Sequence, residues 1–191
     1  MKNDKGCFYE TNLIDIVREI YSNRLVMMYM FSYGSLMYPE GINGRGMMYN
    51  YTIKDLIPTV LRGYKRGPYG LNANMAKESY YGIIRSDESE VVGTLVPVYS
   101  QYDLKMLMGS ELTFQFYDPE KSMYILEEVD VSSDSIDVPV KTLVCNHDQV
   151  IQSRHMPMDK SYVERVYKTI VSYWGEDFAE RCVETGIQVP S

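Results

Sequence analysis

The sequence is short of the residues on which most recognisable chemistry depends. Its 191 residues include two histidines, three cysteines and one tryptophan. Cys7, Cys145 and Cys182 are an odd, scattered set, so no disulfide framework is expected and the thiols read as reduced. No phosphate loop, dinucleotide fingerprint, His-Glu-x-x-His pair or Gly-x-Ser-x-Gly elbow occurs, and no cofactor is expected. A zinc site would have to draw on Cys145, His147, His155 and Asp148, which lack paired ligand spacings; loop histidines and a buried strand cysteine are expected there instead. Basic charge is also scarce. With 19 Lys and Arg against 26 Asp and Glu, the net charge is −7, and no basic stripe exists for a phosphate backbone or an anionic membrane. The longest apolar run, residues 25–31, suits a strand and is far too short to span a bilayer. No apolar core of a secretory signal follows residues 1–6, so a cytoplasmic location is expected.

What is present is an ordinary 45% of apolar residues, arranged first as strands and later as helices. Asn12 caps an apolar stripe of Leu13, Ile16, Val17 and Ile20, which predicts an N-terminal helical extension over residues 1–23. A single domain is expected over residues 24–191. Its strands are predicted at 25–32, 58–64, 79–84, 91–98, 122–131 and 138–145, with a glycine-rich loop at 41–50 and a hairpin turn in the polar run 86–90. Helices are predicted at 101–112, at 159–174 behind Asp159 as N-cap, and at 176–183. The order indicates an α+β fold whose sheet curls or closes.

Two places offer chemistry. The apolar strand stops on Tyr33-Gly34-Ser35-Leu36, where a glycine removes the side chain that would keep a small anion from the backbone N–H groups, and Ser35 adds a hydroxyl. The same residues also make an ordinary strand-ending turn, and both readings are open. In the helix over 101–112, Leu104, Leu107 and Met108 lie at i, i+3 and i+4, and the next position on that stripe is Glu111. A carboxyl aimed at the core near a helix C-terminus is disfavoured as an anion, so its pKa rises toward the range useful to a general acid or base. The alternative is fraying at Gly109-Ser110, with Glu111 turned to water. Glu88, Glu90, Glu120, Glu127 and Glu128 read as turn, loop or strand-surface acids. A Ser35 nucleophile served by one of the histidines is a third arrangement, an amide hydrolase.

In order, these features resemble the gamma-glutamylcyclotransferases. The likeness runs from Tyr33-Gly34-Ser35 through Leu61-Arg62-Gly63-Tyr64 and Val92-Gly93-Thr94-Leu95 to the helix ending at Glu111, then to the strand that follows it and Tyr162. The resemblance implies a small mixed β-barrel with flanking helices and a γ-glutamyl small molecule as substrate, cyclised to 5-oxoproline with no metal or cofactor. It implies Glu111 as general acid/base. It also implies substrate contacts from Met30, Phe31, Ser32, Tyr33, Gly34, Ser35 and Leu36, with Tyr124 and Tyr162. Phe114, Phe116 and Tyr117 either wall a leaving-group pocket or pack on the barrel rim. A binding module on the same fold, with Glu111 paired rather than catalytic, is the alternative; a monomer and a homodimer are both compatible with the sequence.

Overall fold

The apolar run ahead of Tyr33 forms a strand covered on both faces, β1 (Met28–Ser32), in a computed structural model of the chain. The structure describes residues 25–71, 78–111, 122–131, 136–153 and 155–190. The predicted N-terminal extension lies outside them, as do Phe114, Phe116, Tyr117 and Glu120. Successive side chains of β1 point to opposite sides. Met28 and Met30 join one apolar cluster with Leu107 and Val96, while Phe31 joins another with Leu61 and Val144. Each such burial contributes about 1.5–3 kcal/mol, which is why the run is continuously apolar instead of alternating.

Around β1 the sheet has the order β2-β3-β1-β5-β4, with β2 at Ile57–Leu71, β3 at Ser79–Val98, β4 at Tyr124–Glu128 and β5 at Val140–Cys145. β1 pairs antiparallel with β3 and parallel with β5, Phe31 lying opposite Leu95 on one side and Thr142 on the other. The sheet is mixed, as expected, but it is not a closed barrel. It curls until, among the described residues, its two edges meet at one bridge, Leu61 to Val131. Side chains span the rest of that seam: Glu127 on β4 accepts from the Tyr64 hydroxyl at 3.0 Å and from Arg85 at 2.8 Å.

The predicted hairpin turn in the polar run 86–90 is absent, because β3 continues through it. Arg62 faces Glu90 and Tyr64 faces Arg85, so residues 86–89 bulge out opposite Gly63, whose φ is +81°. Pairing resumes beyond the bulge because Ile83 and Val91, on either side of it, are buried in the same cluster. The predicted loop at 41–50 likewise starts inside a helix, α1 (Pro39–Asn43), with Pro39 preset for its first position.

Helix α2 (Gln101–Ser110) is capped by Ser100, whose hydroxyl accepts the Asp103 N–H at 3.1 Å. Of the two histidines expected in loops, His155 lies in a turn, but His147 opens a helix, α3 (His147–Ser153). Asn146 starts that helix, its side chain accepting the Asp148 N–H at 3.4 Å and its carbonyl the Val150 N–H at 3.2 Å. Helix α4 (Lys160–Trp174) turns the expected stripe inward: Tyr162, Val163, Val166 and Ile170 are buried, and the Trp174 indole donates to the Met37 carbonyl at 2.9 Å. Asp159 caps it by accepting the Tyr162 N–H at 3.0 Å, an interaction worth about 1 kcal/mol. A last helix, α5 (Glu176–Glu184), packs Phe178 and Cys182 against α4. Among the described residues no helix is long and apolar enough to cross a membrane.

Candidate active site

Three elements converge where β1 ends. The turn after it is held from below by the Tyr33 hydroxyl, which donates to the Leu143 carbonyl of β5 at 2.6 Å. Residues Ser35–Met37 then form one 3-10 turn, closed by the Met37 N–H on the Gly34 carbonyl at 3.1 Å. Helix α1 abuts this turn so closely that a Cβ on Gly41 would lie 1.6 Å from the Ser35 carbonyl oxygen. Gly34 faces α4, where an added Cβ would come within 2.9 Å of the Tyr162 hydroxyl oxygen. A backbone hydrogen bond from Ser35 reaches that same hydroxyl.

Glu111 enters from the third side. It is the residue just past α2, its N–H donating to the Leu107 carbonyl at 3.1 Å. Leu107 and Met108 are buried ahead of it, and its side chain keeps the inward direction of their stripe, 20% exposed. Burial pushes its carboxyl above the usual carboxylate range, with the Arg45 charge opposing the rise. An Arg45 nitrogen lies 2.7 Å from Glu111 Oε1, out of hydrogen-bond alignment, and donates to Ser35 Oγ at 3.4 Å. Arg45 therefore spans the gap between the turn and the carboxylate.

These groups line one cavity of about 490 Å³. All ten residues expected at the site lie on its wall, from Met30 through Leu36 together with Glu111, Tyr124 and Tyr162. Burial pushes the hydroxyls of Tyr33, Tyr124 and Tyr162 upward, and the Glu111 charge is among those adding to it, so all three are neutral near pH 7. Neither histidine lines the cavity, and Ser35 has a guanidinium beside it where a nucleophile would need a base. Cys145 is buried, with its thiol pushed up to about 12, which leaves it unreactive. No group of three potential metal ligands exists among the described residues.

Sequence reasoning missed Arg45 and Arg165, both on the cavity wall. Arg165 was within reach of it, since it follows Tyr162 by one helical turn and its guanidinium lies over that ring at 5.8 Å. For Arg45 the one local signal is a cation between two glycines, Gly44 and Gly46.

Neither a family model nor a curated protein matches the chain. Solved structures do. An uncharacterized protein of Homo sapiens, loc79017, superposes with a TM-score of 0.57 at 14% identity, over 85% of this chain and 90% of that one. A gamma-glutamyl cyclotransferase superposes with a TM-score of 0.50, also at 14% identity, over 82% of this chain and 86% of that one. Identities this low speak for the backbone alone, and on that ground the chain has the gamma-glutamyl cyclotransferase fold.

Proposed function

We propose that the protein cyclises a γ-glutamyl group to 5-oxoproline and releases the attached amine or amino acid. The observation that carries this reading is a buried carboxyl, Glu111, facing the Tyr33–Gly34–Ser35 turn across a cavity of substrate size. The reaction asks little more of a protein. The substrate's own α-amine attacks its γ-carbonyl, so holding the chain folded back supplies much of the acceleration. Attack requires a neutral amine. The α-nitrogen gives up two protons on becoming the lactam N–H, one before its C–N bond forms and one after; Glu111 takes each in turn and hands it to the departing nitrogen, which leaves as an ammonium when the old amide bond breaks. The Tyr162 hydroxyl, which accepts from the Ser35 backbone, has its own proton to offer the developing oxyanion or the α-carboxylate. Incubating the protein with a panel of γ-glutamyl amino acids, peptides and amines should release 5-oxoproline from at least one of them. A panel with no product would sink the reading.

Gly34→Val tests the role of the turn. The new methyl groups displace the Tyr162 hydroxyl, which the Tyr80 and Tyr81 rings hold in place at centroid distances of 4.8 Å and 5.5 Å. Substrate affinity should drop at least tenfold, about 1.4 kcal/mol, while the far-UV circular dichroism is unchanged. Unaltered affinity would place the head group elsewhere.

The ion pair between Arg45 and Glu111 favours a second reading, a binding module in which the carboxylate is a partner and not a catalyst. Calorimetric binding of γ-glutamyl compounds without turnover would distinguish it.

A further inference from the structure

Arg45 is more tightly placed than a surface cation needs to be. Its loop leaves α1 at Gly44 and is closed by Asn43, whose amide nitrogen donates to the Tyr51 carbonyl at 3.0 Å and whose carbonyl accepts the Tyr51 N–H at 2.8 Å. The Tyr51 hydroxyl anchors that clasp to the sheet by donating to the Pro97 carbonyl at 2.7 Å. Within the loop, the Met48 N–H donates at 3.0 Å to Asp103, a fully buried carboxylate on α2, the helix that delivers Glu111. Gly46 turns the chain with a φ of +73°, a conformation that favours glycine. Loop and helix thus form one unit that aims the guanidinium at Glu111 on one side and at Ser35 on the other.

That position conflicts with the proposed reaction as long as the cavity is empty. A cation against Glu111 weakens it as a base and occupies the place an ammonium would take. A γ-glutamyl head group, however, carries an α-carboxylate and an α-ammonium on one carbon, and so offers a partner to each half of the pair. Among the described residues, the other titratable groups that bear on Glu111 are the neutral hydroxyls of Tyr33, Tyr124 and Tyr162. Arg165 shares the cavity wall from α4. With the tyrosines neutral, Arg45 is, among the described residues, the charge that opposes the rise burial imposes on Glu111.

We propose that Arg45 is a substrate-displaced counterion, which holds Glu111 in the empty cavity and transfers to the ligand's α-carboxylate beside Ser35, leaving Glu111 to the α-ammonium. The assignment rests on the cyclotransferase reading of the site. Nothing is consumed in the exchange. Two ion pairs replace one, and then a single proton moves from the ammonium nitrogen to Glu111, breaking an N–H bond and forming an O–H bond.

The test is the pH dependence of Arg45→Gln and Arg45→Lys with whichever γ-glutamyl compound is turned over. The kcat/KM profile reports the free enzyme and the kcat profile the complex. In Arg45→Gln the acidic limb of kcat/KM should move to higher pH, because the empty site has lost its cation, while the acidic limb of kcat stays in place. KM should rise about tenfold or more, as befits a lost charge-assisted contact, and Arg45→Lys should recover part of it. Limbs that move together would mean that Arg45 never leaves Glu111, and limbs that both stay would mean that the pair is uncoupled; either result overturns the proposal.

A second measurement needs no turnover. With ¹³C-labelled glutamate, the Glu111 carboxyl is titrated by NMR with and without 5-oxo-L-proline as the carboxylate probe. The probe should raise the wild-type midpoint, whereas in Arg45→Gln the midpoint is already raised and the probe adds no further shift. Equal probe binding by both proteins, or an unmoved wild-type midpoint, overturns the exchange. An Arg45-dependent shift in a protein that cyclises nothing supports the exchange and removes only the cyclotransferase reading.

Discussion

Glu111→Gln should lower the proposed 5-oxoproline release by about 10²- to 10⁴-fold and leave the protein folded. The amide matches the carboxylate in shape but cannot accept the α-ammonium proton near neutral pH, so the loss falls on the chemical step. Folding survives because the change removes a desolvated charge, and Arg45, with 28% of its side chain exposed, keeps water in place of its lost partner. Stability offers an independent readout. The folded-state pKa of Glu111 is raised above the unfolded value of 4.5, so the folded state binds the proton more tightly. The resulting stabilisation is fully present below that unfolded value and is lost as pH rises through the folded one. The Gln variant has no such dependence at this position. The Tm of wild type minus that of the variant should therefore fall as pH rises through this window, in thermal scans at a series of pH values. A variant with full turnover would take Glu111 out of the mechanism.

Gly41→Ala should damage both stability and binding, although it adds a single methyl group to a helix. The new Cβ would overlap the Ser35 carbonyl, 1.6 Å from the oxygen and 2.7 Å from the carbon. Both are backbone atoms, so no side-chain rotation relieves the contact, and either α1 or the turn must shift. Overpacking of this kind costs about 1–3 kcal/mol. Because the displaced atoms belong to the turn, affinity for 5-oxo-L-proline should fall along with Tm. Gly109→Ala is the control: its Cβ meets nothing within 4 Å on α2, and the substitution should stabilise by roughly 0.5–1 kcal/mol. Wild-type Tm and binding in Gly41→Ala would show that the turn is not wedged by α1.

Much of this site was legible because it rests on periodicity and on one glycine. The stripe through Leu104, Leu107 and Met108 sets the direction of Glu111 by helical geometry alone, and burial of Leu107 and Met108 keeps that direction in the fold. The continuous apolar run of β1 likewise signals a strand covered on both faces. What could not be read depends on contacts distant in the chain. Arg45 acquires its position from Tyr51, Pro97 and Asp103, the last holding Met48 of its loop from 55 residues away, and a loop cation carries no local mark of such a clasp. The run 86–90 has the composition of a turn, yet pairing resumes beyond it because Ile83 and Val91 share a cluster. Asn146 followed by His147-Asp148 does carry an N-cap signal, and there the loop expectation overlooked local chemistry.

The parallel pairing of β1 with β5 has a consequence for how the protein is made. The turn at Tyr33 is fixed by the Leu143 carbonyl, and the Phe31 carbonyl accepts the Thr142 hydroxyl, contacts spanning 110 and 111 residues. At translation rates of 5–20 residues per second, roughly 5–20 s separate synthesis of the central strand from synthesis of its parallel partner. During that interval Met28, Met30 and Phe31 have no β5 to cover them, which makes the nascent segment a client for chaperones and a hazard for self-association. The cavity is consequently among the last features to form, and ligand binding reports a chain that has completed its most non-local step.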